Sequence, residues 1–510
     1  MANFQKETDM EVSEVKAVYG SETYVAFGGT EWKGDAELIN FKLYSDDYTV
    51  EIDGKEFRAR ECRVSAMPFN RPWPGHQRSF SQSESAAFIS VYSENAVTLR
   101  VRYKRGFHNP VVRPASKGVQ VNLVDDVAEI TLTEHKGYVL ESAGEHHALH
   151  IFFEKPKNYD AESATYYFGE GIHFPGTVTL RDNDRVYIDK NAVVFGSLYA
   201  NGAENIRVYG GGTLDNTTEE RIVENCYEPY AKGNLRFYNC KNVTIEDVIF
   251  TNSCTWILAL FDCDGVKIDN VKLVGHWRYN TDGIDLTNTS NVEIKNSFIR
   301  SFDDTITIKA IYEYGYPVEN IHVENCVMWC GWGMNCEIGV ETDAPEYRNI
   351  SFKGCDLIRS AANAIDIQNG RNCLIHDIIF EDLNVELQDD CMCPMMQTSE
   401  DQVYAPSVKT TLPRVISIEN KSYPIRQKST DRVVREACAE IGRVYDITYR
   451  NIRLYMPENI RKPEIKMISV DESKPFENIV IDGLFINGER QTDLSRFNLN
   501  IKNCREIKLI

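Results

Sequence analysis

The sequence lacks any long apolar run. No run approaches the roughly 18 residues of a membrane-spanning helix, which argues against a helical membrane protein. The opening residues, MANFQKETDMEVSEVK, contain neither a basic segment nor an apolar one, so they do not form a secretory signal. We therefore expect a cytoplasmic protein, or a secreted one if a leader precedes this sequence in the native chain.

Positive charge is scarce relative to negative charge. The 510 residues include 56 Lys and Arg against 76 Asp and Glu, a net charge of −20. Such a surface repels nucleic-acid phosphates and anionic lipid, so neither nucleic acid nor a membrane is an expected partner. The composition is otherwise that of a soluble globular chain, with 42% hydrophobic residues, and the length suggests more than one domain.

Paired metal-binding cysteine motifs are also missing. None of the 14 cysteines belongs to a paired C-x-x-C zinc pattern, so we predict no metal and no cofactor. Cys263, Cys326, Cys355 and Cys373 instead recur at repeat positions, where we expect small apolar core residues of a protein from a reducing compartment.

What the sequence has in abundance is a short repeat, from about residue 180 onward. Six of its units are NVTIEDVIF at Asn242, GVKIDNVKL at Gly265, NVEIKNSFI at Asn291, NIHVENCVM at Asn320, NISFKGCDL at Asn349 and NCLIHDIIF at Asn372. Their starts differ by 23, 26, 29, 29 and 23 residues, a drift typical of a solenoid with loops of variable length. Alternation of apolar and polar residues with period two predicts strands, and hence a parallel β-helix. The recurrent Asn suits a left-handed turn and would hydrogen-bond along the coil axis.

The first part of the chain has a different pattern. Three hairpins are predicted, with turns at Asp53-Gly54, Glu94-Asn95 and Asp125-Asp126. We expect an all-β chain with an N-terminal antiparallel β-sandwich domain in residues 1–160, followed by a right-handed parallel β-helix in residues 161–510. An irregular insertion at about 388–444 is predicted to overhang one face as a lid or subsite wall.

Three aspartates stand out within the repeat, in YNTDGIDL and SFDDTITIK. Asp282 precedes Asp303 by 21 residues and Asp304 by 22, which is close to one coil. Residues one coil apart stack at about 4.8 Å, so the three carboxyls should meet on one face. Clustered carboxyls titrate separately and retain a proton near neutral pH, as glycosidic-bond hydrolysis by an acid and a base requires. The alternative is that surface turns of an acidic protein collect aspartates by chance.

The same two motifs resemble the signature of glycoside hydrolase family 28, the polygalacturonases, and of the related dextranase-type family 49. The segment YYFGEGIHFPGTVTLRDNDRVYIDKNAVVFGSLYANGAENIRVYGGGTLD is similar to the first coils of both, and an N-terminal β-sandwich is similar to the dextranase type. The resemblance covers about residues 165–390. It implies hydrolysis with inversion, in which Asp303 is the general acid and Asp282 and Asp304 activate water.

The sequence departs from the polygalacturonase pattern in two places. Where that family has Gly-His-Gly, this chain reads CGWGMNCEIGVE, and where it has an Arg-Ile-Lys strand, this chain reads NAIDIQNG. Asp366 and Gln368 thus replace a cationic clamp for the substrate carboxylate, and an acid repels a carboxylate. The replacement predicts a neutral sugar.

Further residues are candidates for substrate binding. Trp329 and Trp332 are predicted to stack on a sugar ring, although either could lie in the core. Lys309 would supply positive charge to the site or simply pair with an acid, and Glu337 would bind hydroxyls or be solvated. The residues just before the first catalytic acid complete the predicted set, namely His276, Trp277, Arg278 and Asn280.

The sequence therefore predicts an inverting glycoside hydrolase that acts on α-linked, neutral oligosaccharides, with exo action on short chains. One alternative is a pectin hydrolase of the exo-polygalacturonase type. Others are a polysaccharide lyase, which would need Ca²⁺ or a basic cluster, and a non-catalytic carbohydrate-binding β-helix. The expected partner is the oligosaccharide, and the sequence leaves open whether the chain forms a homo-oligomer.

Overall fold

The computed structural model describes residues 10–13, 24–26, 30–32, 42–65, 83–142, 144–221, 231–311, 315–388, 413–426 and 432–510. Within these ranges the structure is built of strands, with one three-residue 3₁₀-helix at Ala115–Lys117. No helix in the described ranges has the length and apolar character needed to span a membrane.

Twelve strands form the N-terminal part. They are β1 Glu11–Val12, β2 Tyr24–Ala26, β3 Thr30–Trp32, β4 Tyr44–Ile52, β5 Lys55–Ser65, β6 Ser83–Tyr92, β7 Val97–Tyr103, β8 Val111–Arg113, β9 Asn122–Val124, β10 Val127–Leu132, β11 Lys136–Glu141 and β12 Leu149–Glu154. Ten of them make one sheet in the order β8-β11-β12-β6-β5-β4-β7-β10-β9, with β1 beside β6, and β2 pairs with β3 separately. Apolar side chains from β4, β6, β7, β10 and β12 share one core.

Two of the three predicted hairpins are confirmed. β4 pairs with β5 around Asp53-Gly54, and β9 pairs with β10 around Asp125-Asp126. The predicted hairpin at Glu94-Asn95 is wrong, because β5 and β4 lie between β6 and β7 in the sheet. The sheet is also not purely antiparallel, since β12 runs parallel to β6. The alternation of apolar and polar residues predicts the strands correctly, but it does not determine which strands pair with each other.

In the described residues 34 strands follow β12, and 32 of them form a single wound sheet. They are β13 Tyr166–Phe168, β14 Gly171–Leu180, β15 Arg185–Ile188, β16 Ala192–Asn201, β17 Arg207–Tyr209, β18 Thr213–Asp215, β19 Leu235–Tyr238, β20 Lys241–Glu246, β21 Ile249–Thr251, β22 Leu258–Phe261, β23 Asp264–Asp269, β24 Lys272–Leu273, β25 Ile284–Thr287, β26 Ser290–Lys295, β27 Phe298–Ser301, β28 Ile306–Ala310, β29 Val318–Glu324, β30 Val327–Cys330, β31 Cys336–Thr342, β32 Glu346–Lys353, β33 Asp356–Ser360, β34 Asn363–Asn369, β35 Leu374–Ile375, β36 Ile378–Glu381, β37 Asn384–Glu386, β38 Arg414–Asn420, β39 Ile425–Arg426, β40 Val433–Arg435, β41 Arg443–Tyr455, β42 Glu464–Ser469, β43 Glu477–Ile486, β44 Glu489–Arg490, β45 Asn498–Lys502 and β46 Ile507–Leu509. Of these, β39 and β40 pair only with each other.

The predicted β-helix is confirmed, because the strands of successive coils pair in parallel on each face. Three faces result. The front face consists of β19, β22, β25, β28, β31, β34, β38 and β42, the side face of β20, β23, β26, β29, β32 and β36, and the docked face of β21, β24, β27, β30, β33 and β37. Inward residues of all three faces pack into one continuous apolar core, which includes the four cysteines predicted there.

The asparagines at the start of the side-face strands behave as predicted. Asn242, Asn291, Asn320 and Asn349 have φ between 52° and 58°, in the left-handed region. Asn320 Nδ2 donates to Asn291 Oδ1 at 2.8 Å, and Asn349 Nδ2 donates to Asn320 Oδ1 at 2.7 Å. The predicted register fails only at the last of the six units, where Ile350 pairs with Ile378, so Asp377 and not Asn372 occupies the turn.

The predicted insertion at 388–444 is narrower than expected. Its residues Arg414–Asn420 form front-face strand β38, which pairs with β34 and β42. Alternation in RVISIEN supports this strand, but the polar residues on either side obscured it. Residues 389–412 and 427–431 lie outside the described residues. The predicted lid lies in these residues, and the predicted exo action depends on that lid.

The N-terminal sheet covers the docked face. Apolar residues of β5, β6, β11 and β12 pack against Ile249, Phe298, Val327 and Ile358 of the helix. Buried ion pairs cross the same interface, among them Arg359 with Glu141 and Lys136 with Asp356, both at 2.9 Å.

Candidate active site

The three predicted catalytic aspartates lie where the chain turns from the docked face onto the front face. Asp282 precedes β25, and Asp303 and Asp304 lie between β27 and β28. The amide of Gly283 donates to Asp304 O at 2.7 Å, which places Asp282 beside Asp304 on adjacent coils. The structure therefore brings the three carboxyls together, as the 22-residue spacing predicted.

Lys309 lies at the centre of this group. Its Nζ is 3.0 Å from Asp282 Oδ2, 3.0 Å from Asp285 Oδ1 and 4.0 Å from Asp304 Oδ2. It also lies 4.3 Å from the centre of the Trp256 ring. Burial would lower the pKa of Lys309, but the charges of Asp285 and Asp282 raise it well above its ordinary value. The lysine thus stays charged and neutralises part of the acid cluster.

Asp285 is a site residue that the sequence analysis missed. It is fully buried, and burial together with the charge of Asp282 raises its pKa well above the ordinary value, against the effect of Lys309. Lys309 is shared by Asp282 and Asp285, so its charge compensates Asp285 only in part, and this carboxyl retains a proton readily. The alternation of apolar and polar residues in GIDLT could have identified Asp285. Because Ile284 and Leu286 face the core, Asp285 must face outward.

Asp303 is held by hydrogen bonds from two neighbours. Its Oδ1 accepts from the amide of Asp304 at 3.1 Å, and its Oδ2 accepts from Asn280 Nδ2 at 3.3 Å. Asn280 Oδ1 in turn accepts from Arg221 Nη1 at 3.0 Å. Arg221 had no motif that could have identified it, since it lies 59 residues from its partner.

The next coil approaches the acid pair through its backbone. The amide of Met334 donates to Asp304 Oδ1 at 2.8 Å. A Cβ at Gly333 would lie 2.1 Å from Asp304 Oδ1 and 2.6 Å from Asp303 Oδ1, so only glycine fits there. The glycine-rich turn CGWG is therefore explained by this close approach.

Acidic side chains continue along the front face beyond the catalytic group. Thr307, Glu337 and Asp366 occupy equivalent outward positions on β28, β31 and β34. Gln368 Nε2 donates to Asp366 Oδ2 at 2.6 Å and to Glu337 Oε1 at 3.4 Å. Burial raises the pKa of Asp366 to about 6, and burial with the charge of Asp304 raises that of Glu337 well above its ordinary value. Glu337 is 3% exposed, so the option that it is solvated is wrong.

Three predicted substrate contacts before the first acid are wrong, because these side chains support a loop. His276 is 2% exposed, its Nε2 donates to Phe250 O at 3.1 Å, and burial lowers its pKa to about 3. Arg278 donates to Glu219 O at 2.8 Å and to Thr217 O at 3.3 Å. Trp277 is buried beside the Arg278 guanidinium.

The two predicted tryptophan platforms differ in position. Trp329 is 1% exposed at the interface with the N-terminal sheet, with the Arg300 guanidinium 3.6 Å from its ring centre, so the prediction that it stacks on a sugar is wrong. Trp332 is partly exposed in the turn that touches the acid pair, where it packs on Tyr279 and Phe302. Its role as a sugar platform stays a prediction.

The arrangement can support acid–base chemistry. It combines buried carboxyls with raised pKa values, a fixed lysine and backbone donors to one acid. In the described part of the chain, no group of three or more His, Cys, Asp or Glu side chains is placed to hold a metal ion. Asp285 Oδ2 and Asp366 Oδ1 are buried and have no hydrogen-bond partner among the described residues, so each can accept a hydrogen bond from a ligand.

Comparison with known proteins gives consistent results. The family model for glycosyl hydrolases family 28 matches residues 156–420, just over half of the chain. A probable polygalacturonase of Arabidopsis thaliana is 26% identical over 274 residues, and an exopolygalacturonase of Cochliobolus carbonum is 30% identical over 183 residues. These matches cover 50% and 31% of this chain but only 58% and 39% of the two relatives.

Among solved structures, Dex49A from Penicillium minioluteum is similar over 98% of this chain and 99% of its own. The TM-score is 0.54 and the sequence identity 12%, so this likeness concerns the fold alone.

Proposed function

We propose that this chain, which belongs to glycosyl hydrolases family 28 and is a glycoside hydrolase, cleaves α-linked oligosaccharides of neutral sugars with inversion of the anomeric configuration. Asp303 would protonate the leaving oxygen, while Asp282 and Asp304 hold the attacking water. Inversion needs a water between acid and base, with the two carboxyls roughly 6.5–9.5 Å apart.

The contacts around the acids support these roles. Lys309, bonded to Asp282, favours its ionised form, which suits a group that accepts a proton from water. The Met334 amide fixes Asp304 in one orientation. Asp303 accepts from the amide of Asp304 and from Asn280 Nδ2, which hold its carboxyl in place for the proton transfer to the leaving oxygen.

The observation that carries the choice of substrate is the acidic character of the front face beyond the catalytic group. Glu337 and Asp366 are buried there beside Gln368, and the central cation, Lys309, is already shared by two aspartates. Above about pH 6, where Asp366 is ionised, a uronate carboxylate would meet like charge. The hydroxyls of a neutral sugar would instead donate to Asp366 Oδ1 and Asp285 Oδ2.

A second candidate is exopolygalacturonase activity. It is favoured by the names of the relatives, which include exopolygalacturonases. This activity would need a cation within reach of the substrate carboxylate.

The test compares substrates that differ in charge alone. Reduction of the carboxyls of an oligogalacturonide to hydroxymethyl groups leaves linkage and length unchanged. We expect reducing ends to form at least about tenfold faster from the reduced oligomer, or from neutral α-gluco- and α-galacto-oligosaccharides, than from the acid form. Preference for the acid form would instead establish the second candidate.

The same assay separates the remaining alternatives. A lyase would release unsaturated products that absorb in the ultraviolet, and a binding protein would release nothing. Proton NMR of fresh product should show the inverted anomer first, and net retention would rule out the proposed mechanism.

A further inference from the structure

Glu337 is the buried acid whose surroundings the catalytic roles above leave unexplained. It lies on β31, one coil beyond the catalytic pair, with its side chain 3% exposed. No ion pair to Glu337 is present among the described residues, and Gln368 Nε2 donates to its Oε1 at a long distance of 3.4 Å. A carboxylate this buried and this poorly paired is costly unless it keeps its proton.

The charged groups that face Glu337 come from the two neighbouring coils. Asp304 lies on the turn before β28, Lys309 on β28 itself, and Asp366 on β34. Asp304 and Asp366 add negative charge, and Lys309 opposes them. Glu337 Oε2 is buried and has no hydrogen-bond partner among the described residues. Since Lys309 is held 3.0 Å from both Asp282 and Asp285, the acids dominate at Glu337.

Among the described residues, a hydrogen-bond donor reaches only one oxygen of the Asp304 carboxylate. Its Oδ1 accepts from the Met334 amide, but its Oδ2 is 4.0 Å from Lys309 Nζ, too far for a hydrogen bond. A carboxyl that keeps its proton beside Asp304 would supply a second donor without adding like charge. An ionised Glu337 would remove that donor and repel Asp304 instead.

We propose that Glu337 is a positioning residue for Asp304 that acts in its protonated form, donating the hydrogen bond that orients the water-activating carboxylate. The inference rests on the proposed role of Asp304 in hydrolysis. Ionisation of Glu337 at alkaline pH would release Asp304 and lower kcat. Gln368, which bridges Glu337 and Asp366, would keep the Glu337 side chain in place.

The experiment compares two substitutions at this position. Glu337→Gln keeps the shape and a donor but cannot ionise, whereas Glu337→Ala removes the donor. We expect Glu337→Ala to lower kcat about 100-fold with little change in KM. The kcat of Glu337→Gln should be at least tenfold higher than that of Glu337→Ala. Its activity should also persist at alkaline pH, where wild-type activity falls. Urea unfolding of each variant confirms that folded enzyme is compared.

Two results would overturn the inference. One is a Glu337→Gln variant as inactive as Glu337→Ala at every pH, which would show that the ionised carboxylate is needed. The other is a Glu337→Gln variant whose alkaline limb coincides with that of wild type. Asp304→Asn is measured alongside, because an active Asp304→Asn variant would refute the catalytic assignment itself and not merely the role of Glu337.

Discussion

Carboxyls are fully buried in two regions of this molecule, and their surroundings differ. At the interface with the docked face, Glu141 accepts from Arg359 Nε and Nη2 at 2.9 Å and from Arg113 Nε at 2.8 Å. Burial alone would raise its pKa, yet the two arginines hold it below the ordinary value. On the front face, Asp285 and Asp366 are just as buried, but burial wins and their pKa values are raised.

This comparison distinguishes carboxyls that are buried to stabilise the fold from carboxyls that are buried where they can act on a ligand. A carboxylate that is buried with all its charge compensated holds two layers together and has no capacity left for a ligand. A carboxyl that is buried with an unpartnered oxygen costs stability, and such groups concentrate at sites where a substrate completes the contacts. Within one chain, Glu141 at the docked face shows the first case, and Asp285 and Asp366 on the front face show the second.

The largest effect should follow from removing the water-holding carboxylates. We expect Asp282→Asn and Asp304→Asn each to lower kcat/KM by ~10²–10⁴-fold, because an amide cannot accept the proton of the attacking water. Reducing-sugar release measures the loss. Asp125→Asn, in the exposed pair of aspartates at the β9–β10 turn, is the matched control and should leave the rate unchanged.

The next effect concerns the docked face. Glu141→Ala should lower the free energy of unfolding by about 3–5 kcal/mol, because the buried Arg359 guanidinium loses its counter-charge. Urea unfolding measures it, with Glu134→Ala as control, since Glu134 is 60% exposed in its pair with Lys117. A loss no larger than that of the control would show that the interface pairing is not structural.

A smaller effect, an increase in the free energy of unfolding, is expected from Asp366→Asn. Its pKa is about 6 in the folded chain against an ordinary 3.8, so the folded state binds this proton more tightly. The resulting stabilisation is complete below pH 3.8 and is lost as pH rises through about 6. Above that pH the buried carboxylate costs up to ~3 kcal/mol, which Asp366→Asn should relieve. Unfolding at pH 8 should show a gain that is absent at pH 4, and an equal difference at both values would contradict this account.

The smallest effect compares two tryptophans that lie three residues apart. Trp332→Ala should raise KM about tenfold with kcat nearly unchanged, as expected for loss of an aromatic contact of about 1–1.5 kcal/mol. Trp329→Phe, at the docked face, should lower stability and leave KM unchanged. If Trp329→Phe changed KM and Trp332→Ala did not, the assignment of the two faces would be reversed.

Sequence reasoning reached the fold and the clustering of Asp282, Asp303 and Asp304 because both depend on spacing. The 23- to 29-residue offsets fix the stacking, and the period of two fixes which side chains point outward. It failed at Trp329 because an outward residue of a coil faces either solvent or another domain, and only the docking of the N-terminal sheet decides which. It failed at Arg221 because contacts between distant segments leave no local pattern.

The most direct test of the central claim is to measure two properties of one variant, Asp303→Asn. The account predicts that hydrolysis of the best neutral oligosaccharide falls by at least ~10²-fold, because the amide cannot donate the proton to the leaving oxygen. It also predicts a free energy of unfolding no lower than that of wild type, because a carboxyl on the front face is held there for chemistry. Activity within a few-fold of wild type, or a loss of stability as large as that of Glu141→Ala, would contradict the claim.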